Sequence, residues 1–321
     1  MERRPLGRTA LELSRIGLGC GNFGGIGSAP QFFGQGESRE EAFALLDSAF
    51  ELGVNCLDTA DAYGGGRSES WIGAWLRARG RRMVLSTKVF HSVHGDPADR
   101  GLARERILRQ IDGSLLRLGV ERVDMYLVHE PDPETPLEET LAALDDLVRA
   151  GKVGAIGASN VDRAWLEEAL TISTREGFVR VECVQNSYSL LDREVESEVL
   201  PFCAAHGLGF MPFSPLAGGW LTGKYRRGEP PPPGSRMTLR PEPYVQLDDD
   251  AIYRGLDTLH EAAARRGVDM PTLAIAWLLS HPHVTAVIAG PRSPEQLEPA
   301  ARALDVSLSP SERDELASLF P

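Results

Sequence analysis

Four residues of this chain have side chains suited to delivering a proton to a polarised carbonyl, and they stand at the ends of successive apolar runs. Asp58 closes VNCLD, Tyr63 follows in TADAY, Lys88 closes MVLSTK, and His129 follows VDMYLV. A tyrosine is a weak acid, with an ordinary pKa of ~10. A lysine cation beside it stabilises the phenolate and is expected to lower that value, a tenfold gain in acidity needing about 1.4 kcal/mol. A carboxylate would keep the lysine charged and oriented. An imidazole would hydrogen-bond the carbonyl oxygen, and the tyrosine would then protonate the developing alkoxide. Of 34 basic residues only Lys88, Lys152 and Lys224 are lysines. Lysine is a compact point charge with a tunable pKa, which arginine is not. Singly, each of the four reads as a turn, packing or satisfied polar residue, as Asp61 does; together they form a constellation.

The elements that must position them follow from hydropathy. Eight short apolar runs, 15–20, 54–58, 83–88, 123–128, 153–158, 180–184, 208–213 and 284–289, read as strands buried on both faces. Helical spacing marks 39–52, 102–118, 137–150, 162–170, 193–206, 249–266 and 271–280, with Gly53, Gly119 and Gly151 as stops. Strand–helix alternation implies parallel strands with crossover helices, and eight units suggest one (β/α)8 barrel domain spanning 1–321. The alternative is an open doubly wound sheet, which wants a Gly-rich turn between its first strand and a helix. Cys20–Gly25 is Gly-rich but opens a long loop. The first residues, RPLGRTALELS, read as a hairpin turning near Gly7-Arg8, placed to plug the barrel bottom. Loops 21–37, 90–100 and 222–247 follow strands at the C-terminal face, where barrel enzymes carry their sites. Asn22, Phe23, Phe32, Phe33 and Trp220 are candidate substrate contacts, with core or loop packing as the competing reading for each.

Composition narrows the class. With 46 acidic against 34 basic residues, the formal charge of −12 argues against nucleic acid or an anionic membrane as main partner. Cys20, Cys56, Cys183 and Cys203 form no C-x-x-C pair, which fits reduced thiols in a cytoplasmic protein. No signal peptide and no transmembrane run is expected. His91 and His94 lie close in sequence without further ligands, and His281 and His283 read as loop residues, so no metal site is expected.

The strings LDTADAYGGGRSESWIGAWL, STK at Lys88, DMYLVHEPD at His129, GKVGAIGASN, VQNSYSLLDR, PFSPLAGGWLTGKY and VIAGPRSPEQLE together resemble the aldo-keto reductase superfamily over about residues 5–305. The nearest subgroup holds bacterial sugar and aldehyde reductases and the β subunits of voltage-gated potassium channels. The resemblance implies a catalytic tetrad, with Tyr63 as general acid, Lys88 and Asp58 tuning it and His129 orienting the carbonyl. It also implies hydride transfer from the A face of a nicotinamide cofactor.

That cofactor has an amide ring and a polyanionic tail. The resemblance places its carboxamide at Ser159, Asn160 and Gln185, with Gly21 and Asp58 beside the ring and Phe213 stacked on it. The segment Ser214-Pro215-Leu216 through Gly218 permits close backbone approach to a pyrophosphate, with Lys224 as counter-charge. Gly290–Gln296 reads as the start of a short helix with Ser293 as N-cap, and with Arg292 it suits the 2′-phosphate of NADP. NADPH is therefore the expected cofactor, with NADH as the alternative. The family's Glu-Asn after this motif is Pro299-Ala300 here, which removes an adenine contact. Its Gly-Thr after the first strand is Cys20-Gly21.

Four readings follow: an NADPH-dependent carbonyl reductase, a sugar or polyol dehydrogenase working oxidatively, a cofactor-sensing regulatory subunit, and a phosphate-binding barrel isomerase or hydrolase. The last has no need of Tyr63 with Lys88. The substrate is expected to be a small carbonyl compound, and the oligomeric state is left open.

Overall fold

The computed structural model describes residues 1–321. Eight parallel strands follow one another round a single sheet: β3 (Ile16–Gly19), β4 (Cys56–Asp58), β5 (Val84–Val89), β6 (Val123–Val128), β7 (Val153–Ser159), β8 (Val181–Gln185), β9 (Gly209–Phe210) and β10 (Val287–Ala289). β10 returns to β3, with Val287 opposite Ile16 and Ala289 opposite Leu18. The last seam is closed by two backbone bonds, Thr285 N–H to Phe210 O at 2.8 Å and Ile288 N–H to Pro212 O at 2.9 Å. The fold is the (β/α)8 barrel. The run at 208–213 shortens to two strand residues because Pro212 has no N–H for the ladder.

Residues alternate along the strands between two cores. Cys56, Met125, Leu127 and Cys183 pack with Ile288 in a small inner cluster, while Leu57, Tyr126, Val128 and Val184 join the large outer core beneath the helices. Space inside is tight: a Cβ on Gly157 of β7 would lie 2.4 Å from Cys183 Sγ. The expected hairpin, β1 (Arg3–Pro5) and β2 (Glu12–Ser14), sends Leu6 and Leu13 fully buried into the inner cluster and so forms its floor. Its turn requires Gly7, whose φ is 55° and where a Cβ would sit 2.4 Å from Glu182 O.

The outer layer is α1 (Arg39–Glu51), α2 (Arg67–Arg79), α3 (Arg104–Leu118), α4 (Leu137–Arg149), α5 (Arg163–Glu176), α6 (Val199–His206), the single turn α7 (Arg236–Leu239), α8 (Asp250–Arg265), α9 (Met270–Leu279), α10 (Glu298–Arg302) and α11 (Pro310–Ala317). Seven of these match the hydropathy reading, although α5 runs six residues past 170 and α6 begins only at Val199 after a 3-10 turn. The crossover helix α2 does not show in that pattern because part of its inward face is polar. Ser68 bonds Thr59 at 2.8 Å, and buried Glu69 bonds Thr87 at 2.5 Å and Arg117 at 2.7 Å. No helix is long and apolar enough to cross a membrane.

Candidate active site

The C-terminal ends of the barrel strands open into a cavity of about 1100 Å³. Its sides are the loops at 21–37, 90–100 and 222–247, as their position after strands requires. Every residue assigned above to cofactor binding lines it, as do Tyr63 and His129. Of the five candidate substrate contacts only Asn22 does; Phe23 and Trp220 lie in the core, and Phe33 packs against Gly65.

Strand register brings the four chemical residues together. Asp58 ends β4 opposite Ser86 of β5, and Lys88 of β5 lies opposite Leu127 of β6, one residue before Val128 and His129. Lys88 is fully buried, and its Nζ donates to Asp58 Oδ2 at 2.6 Å and to Thr59 O at 3.0 Å. The other Asp58 oxygen accepts from Gln185 Nε2 at 2.9 Å and Ser86 Oγ at 3.1 Å. The carboxylate is thus fully paired, as a buried charge must be. The Lys88 ammonium lies 5.1 Å from the centre of the Tyr63 ring, and the Tyr63 hydroxyl lies 3.4 Å from His129 Nε2. Gly21 lies against that ring, where a Cβ would make ordinary van der Waals contact with Tyr63 Cε2 at 3.5 Å.

Electrostatics correct one expectation. Burial pushes the Tyr63 phenol above its ordinary pKa, and the opposing pull of Lys88 offsets this only in part. The hydroxyl therefore holds its proton in the resting site. Burial alone would lower the Lys88 pKa, but Asp58 and Tyr63 hold it above the ordinary value, so the cation persists. Burial, followed by the nearby Lys88 and His91, takes His129 well below the usual histidine value. The neutral imidazole presents Nε2 toward the Tyr63 hydroxyl.

Ser159 and Gln185 end β7 and β8, and Asn160 follows with a left-handed φ of 56°. Ser159 Oγ donates to Gln185 O at 2.7 Å, and Asn160 Nδ2 donates to His129 O at 2.9 Å. Asn160 Nδ2 also donates to Ser159 Oγ at 3.2 Å and Gln185 Nε2 donates to Asp58, which leaves the amide oxygens of Asn160 and Gln185 as acceptors for a ligand amide. At Ser214, Ala217, Gly218 and Gly219 the backbone turns left-handed, the conformation of an anion-holding loop. Lys224 lies across Gly219 and makes no ion pair; burial, with Arg292 and Arg236 nearby, lowers its pKa. An unpaired cation beside such a loop fits a pyrophosphate. The residues present thus suit a dinucleotide with a carboxamide ring.

The helix expected at Ser293 is a 3-10 turn, Pro294–Gln296, and Ser293 makes no side-chain cap. Pro299 opens the separate five-residue α10. Pro294 and Pro299 each bring one position without an N–H, so the segment offers fewer donors than a continuous helix start would. Arg292 is already engaged: its Nε donates to Glu37 Oε1 at 2.7 Å and its Nη1 to Gly234 O at 2.6 Å.

Other cavity residues were not evident from sequence. His91 Nε2 lies 3.1 Å from Glu130 Oε1, and the His91 and His129 rings stand 4.8 Å apart. Both rings follow closely on the ends of their strands, the neighbouring β5 and β6, and that shared placement is a signal the sequence contains. Tyr244, Arg236 and Arg240 come from the long insertion, and Arg236 reaches Asn22 Oδ1 at 3.2 Å. No periodicity announces these contacts.

Comparison with known proteins agrees with this geometry. The family model for the aldo/keto reductase family matches residues 15–320. The oxidoreductase YrpG of Bacillus subtilis (strain 168) is 35% identical over 333 aligned residues, covering 100% of this chain and 96% of the relative. A probable voltage-gated potassium channel subunit beta from Oryza sativa subsp. japonica is 37% identical, covering 95% of this chain and 92% of the relative. The NADH-specific methylglyoxal reductase of Escherichia coli (strain K12) is 33% identical, with 96% and 95% covered. This chain therefore belongs to the aldo/keto reductase family and is an NAD(P)H-dependent oxidoreductase on a (β/α)8 barrel.

Proposed function

We propose that the protein reduces an aldehyde or ketone to the alcohol with NADPH, and that Tyr63 supplies the proton. The observation that carries this is the Tyr63 hydroxyl, 3.4 Å from His129 Nε2 and backed by the Lys88–Asp58 pair at 2.6 Å. When bound, the nicotinamide supplies the hydride. The chain's own groups do the rest. His129 and Tyr63 hold the carbonyl oxygen between two hydrogen bonds, and Tyr63 passes its proton to that oxygen as negative charge develops there. The phenolate left behind is stabilised by Lys88, which Asp58 keeps charged. Burial therefore keeps the acid protonated before the reaction, while Lys88 acts on the product of proton transfer.

Lys224 and Arg236, both without carboxylate partners, suit the pyrophosphate common to NADPH and NADH, and the surplus of cations around them favours the extra charge of NADPH. The polar wall of His91, Glu130, Arg100 and Arg240 favours a small hydroxylated carbonyl compound. Four free, buried cysteines fit a cytoplasmic setting, and the barrel is taken as one domain over 1–321. The same tetrad serves oxidation of an alcohol, and the rice relative's name keeps a regulatory subunit as the second reading. Replacing Tyr63→Phe should lower reduction of a reactive aldehyde by on the order of 10³-fold. NADPH binding, followed by protein fluorescence, should change by less than about twofold, because the hydroxyl contributes to the chemical step. Full activity of Y63F would refute the assignment of the acid. Negligible turnover of every carbonyl by the unaltered protein would favour the regulatory reading.

A further inference from the structure

Four cations border the part of the cavity formed by the long insertion: Lys224, Arg236, Arg240 and Arg292. Three have no ion pair, and Arg292 is bound to Glu37. Glu37 is an unusual partner. Its side chain is 2% exposed, and Oε2 is buried with no hydrogen bond. Its backbone is fastened on both sides, with Glu37 N–H donating to Asn22 O at 2.9 Å and Gly24 N–H donating to Glu37 O at 3.0 Å. The following Ser38 caps α1 in a reciprocal box with Glu41. The carboxylate is thus fixed against the cavity wall with one oxygen committed and one unused. Burial pushes its pKa up, against the opposing effect of Arg292.

We propose that Glu37 is a specificity-determining residue for the 2′ position of the cofactor's adenosine ribose. The inference rests on the nicotinamide-cofactor reading above and deepens it. A 2′-phosphate must compete with a buried carboxylate for the Arg292 guanidinium, and it leaves that carboxylate facing a second anion. A 2′-hydroxyl brings no second anion and leaves the ion pair whole. Glu37 therefore holds back the preference for NADPH that the cluster of cations would otherwise impose, and the protein accepts both cofactors.

The test is calorimetric titration of NADP⁺ and NAD⁺, so that binding is read apart from turnover. The unaltered protein should bind the two within about tenfold of each other. Glu37→Gln keeps the shape and removes the charge, so it should raise the NADP⁺-to-NAD⁺ affinity ratio on the order of tenfold. Glu37→Asp keeps a carboxylate and should stay nearer the original ratio; a purely structural role would make E37D at least as disruptive. In the double variant E37Q with Arg292→Gln the gain should vanish. A ratio changed by less than about twofold in E37Q, or a gain that persists without Arg292, would overturn the proposal. Failure of the unaltered protein to bind either nucleotide would overturn the cofactor reading, and this inference with it.

Discussion

Around Tyr63 the cavity is built from strand ends, and nearly every charge there has a partner delivered by a neighbouring strand; around Lys224 it is built from loops, and of four cations only Arg292 has a carboxylate partner. Lys88 meets Asp58 at 2.6 Å, and Asp58 is bonded again by Gln185 and Ser86. Strand register sets these distances, so the proposed proton-transfer group is held before any ligand arrives. Burial lowers the pKa of both Lys224 and Arg236, and neighbouring arginines lower them further, Arg292 and Arg236 acting on Lys224 and Arg240 and Arg292 on Arg236. That arrangement is unfavourable until an anion enters. On the proposed function, the end that is complete without ligand does the chemistry and the end that awaits an anion does the binding.

The same substitution at the two ends should therefore have opposite consequences. Lys88→Met leaves Asp58 buried and unpaired, which should cost about 3–5 kcal/mol of folding stability. It should also lower the rate of reduction by at least ~10²-fold, because the phenolate loses its counter-charge. Lys224→Met removes a cation without a partner, so stability should hold or rise, while NADPH binding weakens by roughly tenfold. Urea unfolding and fluorescence titration of both variants would decide it. Equal destabilisation by K88M and K224M would break the comparison.

A smaller effect is expected at Gly218. Its φ is 64°, and a Cβ there would lie 2.5 Å from the Tyr244 ring, so Gly218→Ala must displace the insertion. Strain of about 1–3 kcal/mol on such a residue should appear in the cofactor Kd, with the rate at saturation nearly unchanged. A drop in that rate with intact binding would mean that the insertion also shapes the reacting end.

This division also explains how far the sequence can be read. Asp58, Tyr63, Lys88 and His129 are legible because each stands at or just beyond a strand end, and barrel strands converge on one rim whatever the loops do. Glu37, Tyr244 and Arg236 are not, because their meeting depends on how 21–37 and 222–247 fold back, and no period encodes that. The partner of Arg292 lies 255 positions away in sequence. The barrel is readable from short apolar runs; among its crossover helices α2 is not, because buried Ser68 and Glu69 replace part of the apolar stripe, and the short α7, α10 and α11 also go unread. The Tyr63 pKa moves opposite to the expected direction because a nearby lysine is visible in a sequence and the depth of burial is not.

Asp61 tests the rule inside the strand-built end, where it is the exception. It lies three residues past Asp58 and is equally buried, yet neither carboxyl oxygen has a hydrogen-bond partner. Burial takes its pKa well above the carboxylate range; Glu69 raises it further, and Arg106 and Arg117 oppose this. Tyr126, its hydroxyl also unpartnered, feels the same charges. The folded protein therefore keeps a proton on Asp61 that the unfolded chain releases near pH ~4. The stability tied to that proton is complete below this value and is lost as pH rises toward the folded pKa. Asp61→Asn has nearly the shape of the protonated acid and cannot titrate. At pH 7.5 it should be the more stable of the two, because it escapes the ionisation that costs Asp61 its stabilising proton. At pH 4.5 that advantage should shrink or reverse. Parallel stability curves across this range would mean that Asp61 ionises like an exposed carboxylate. The strand-built end would then hold a second buried anion, and pairing by neighbouring strands would no longer describe it.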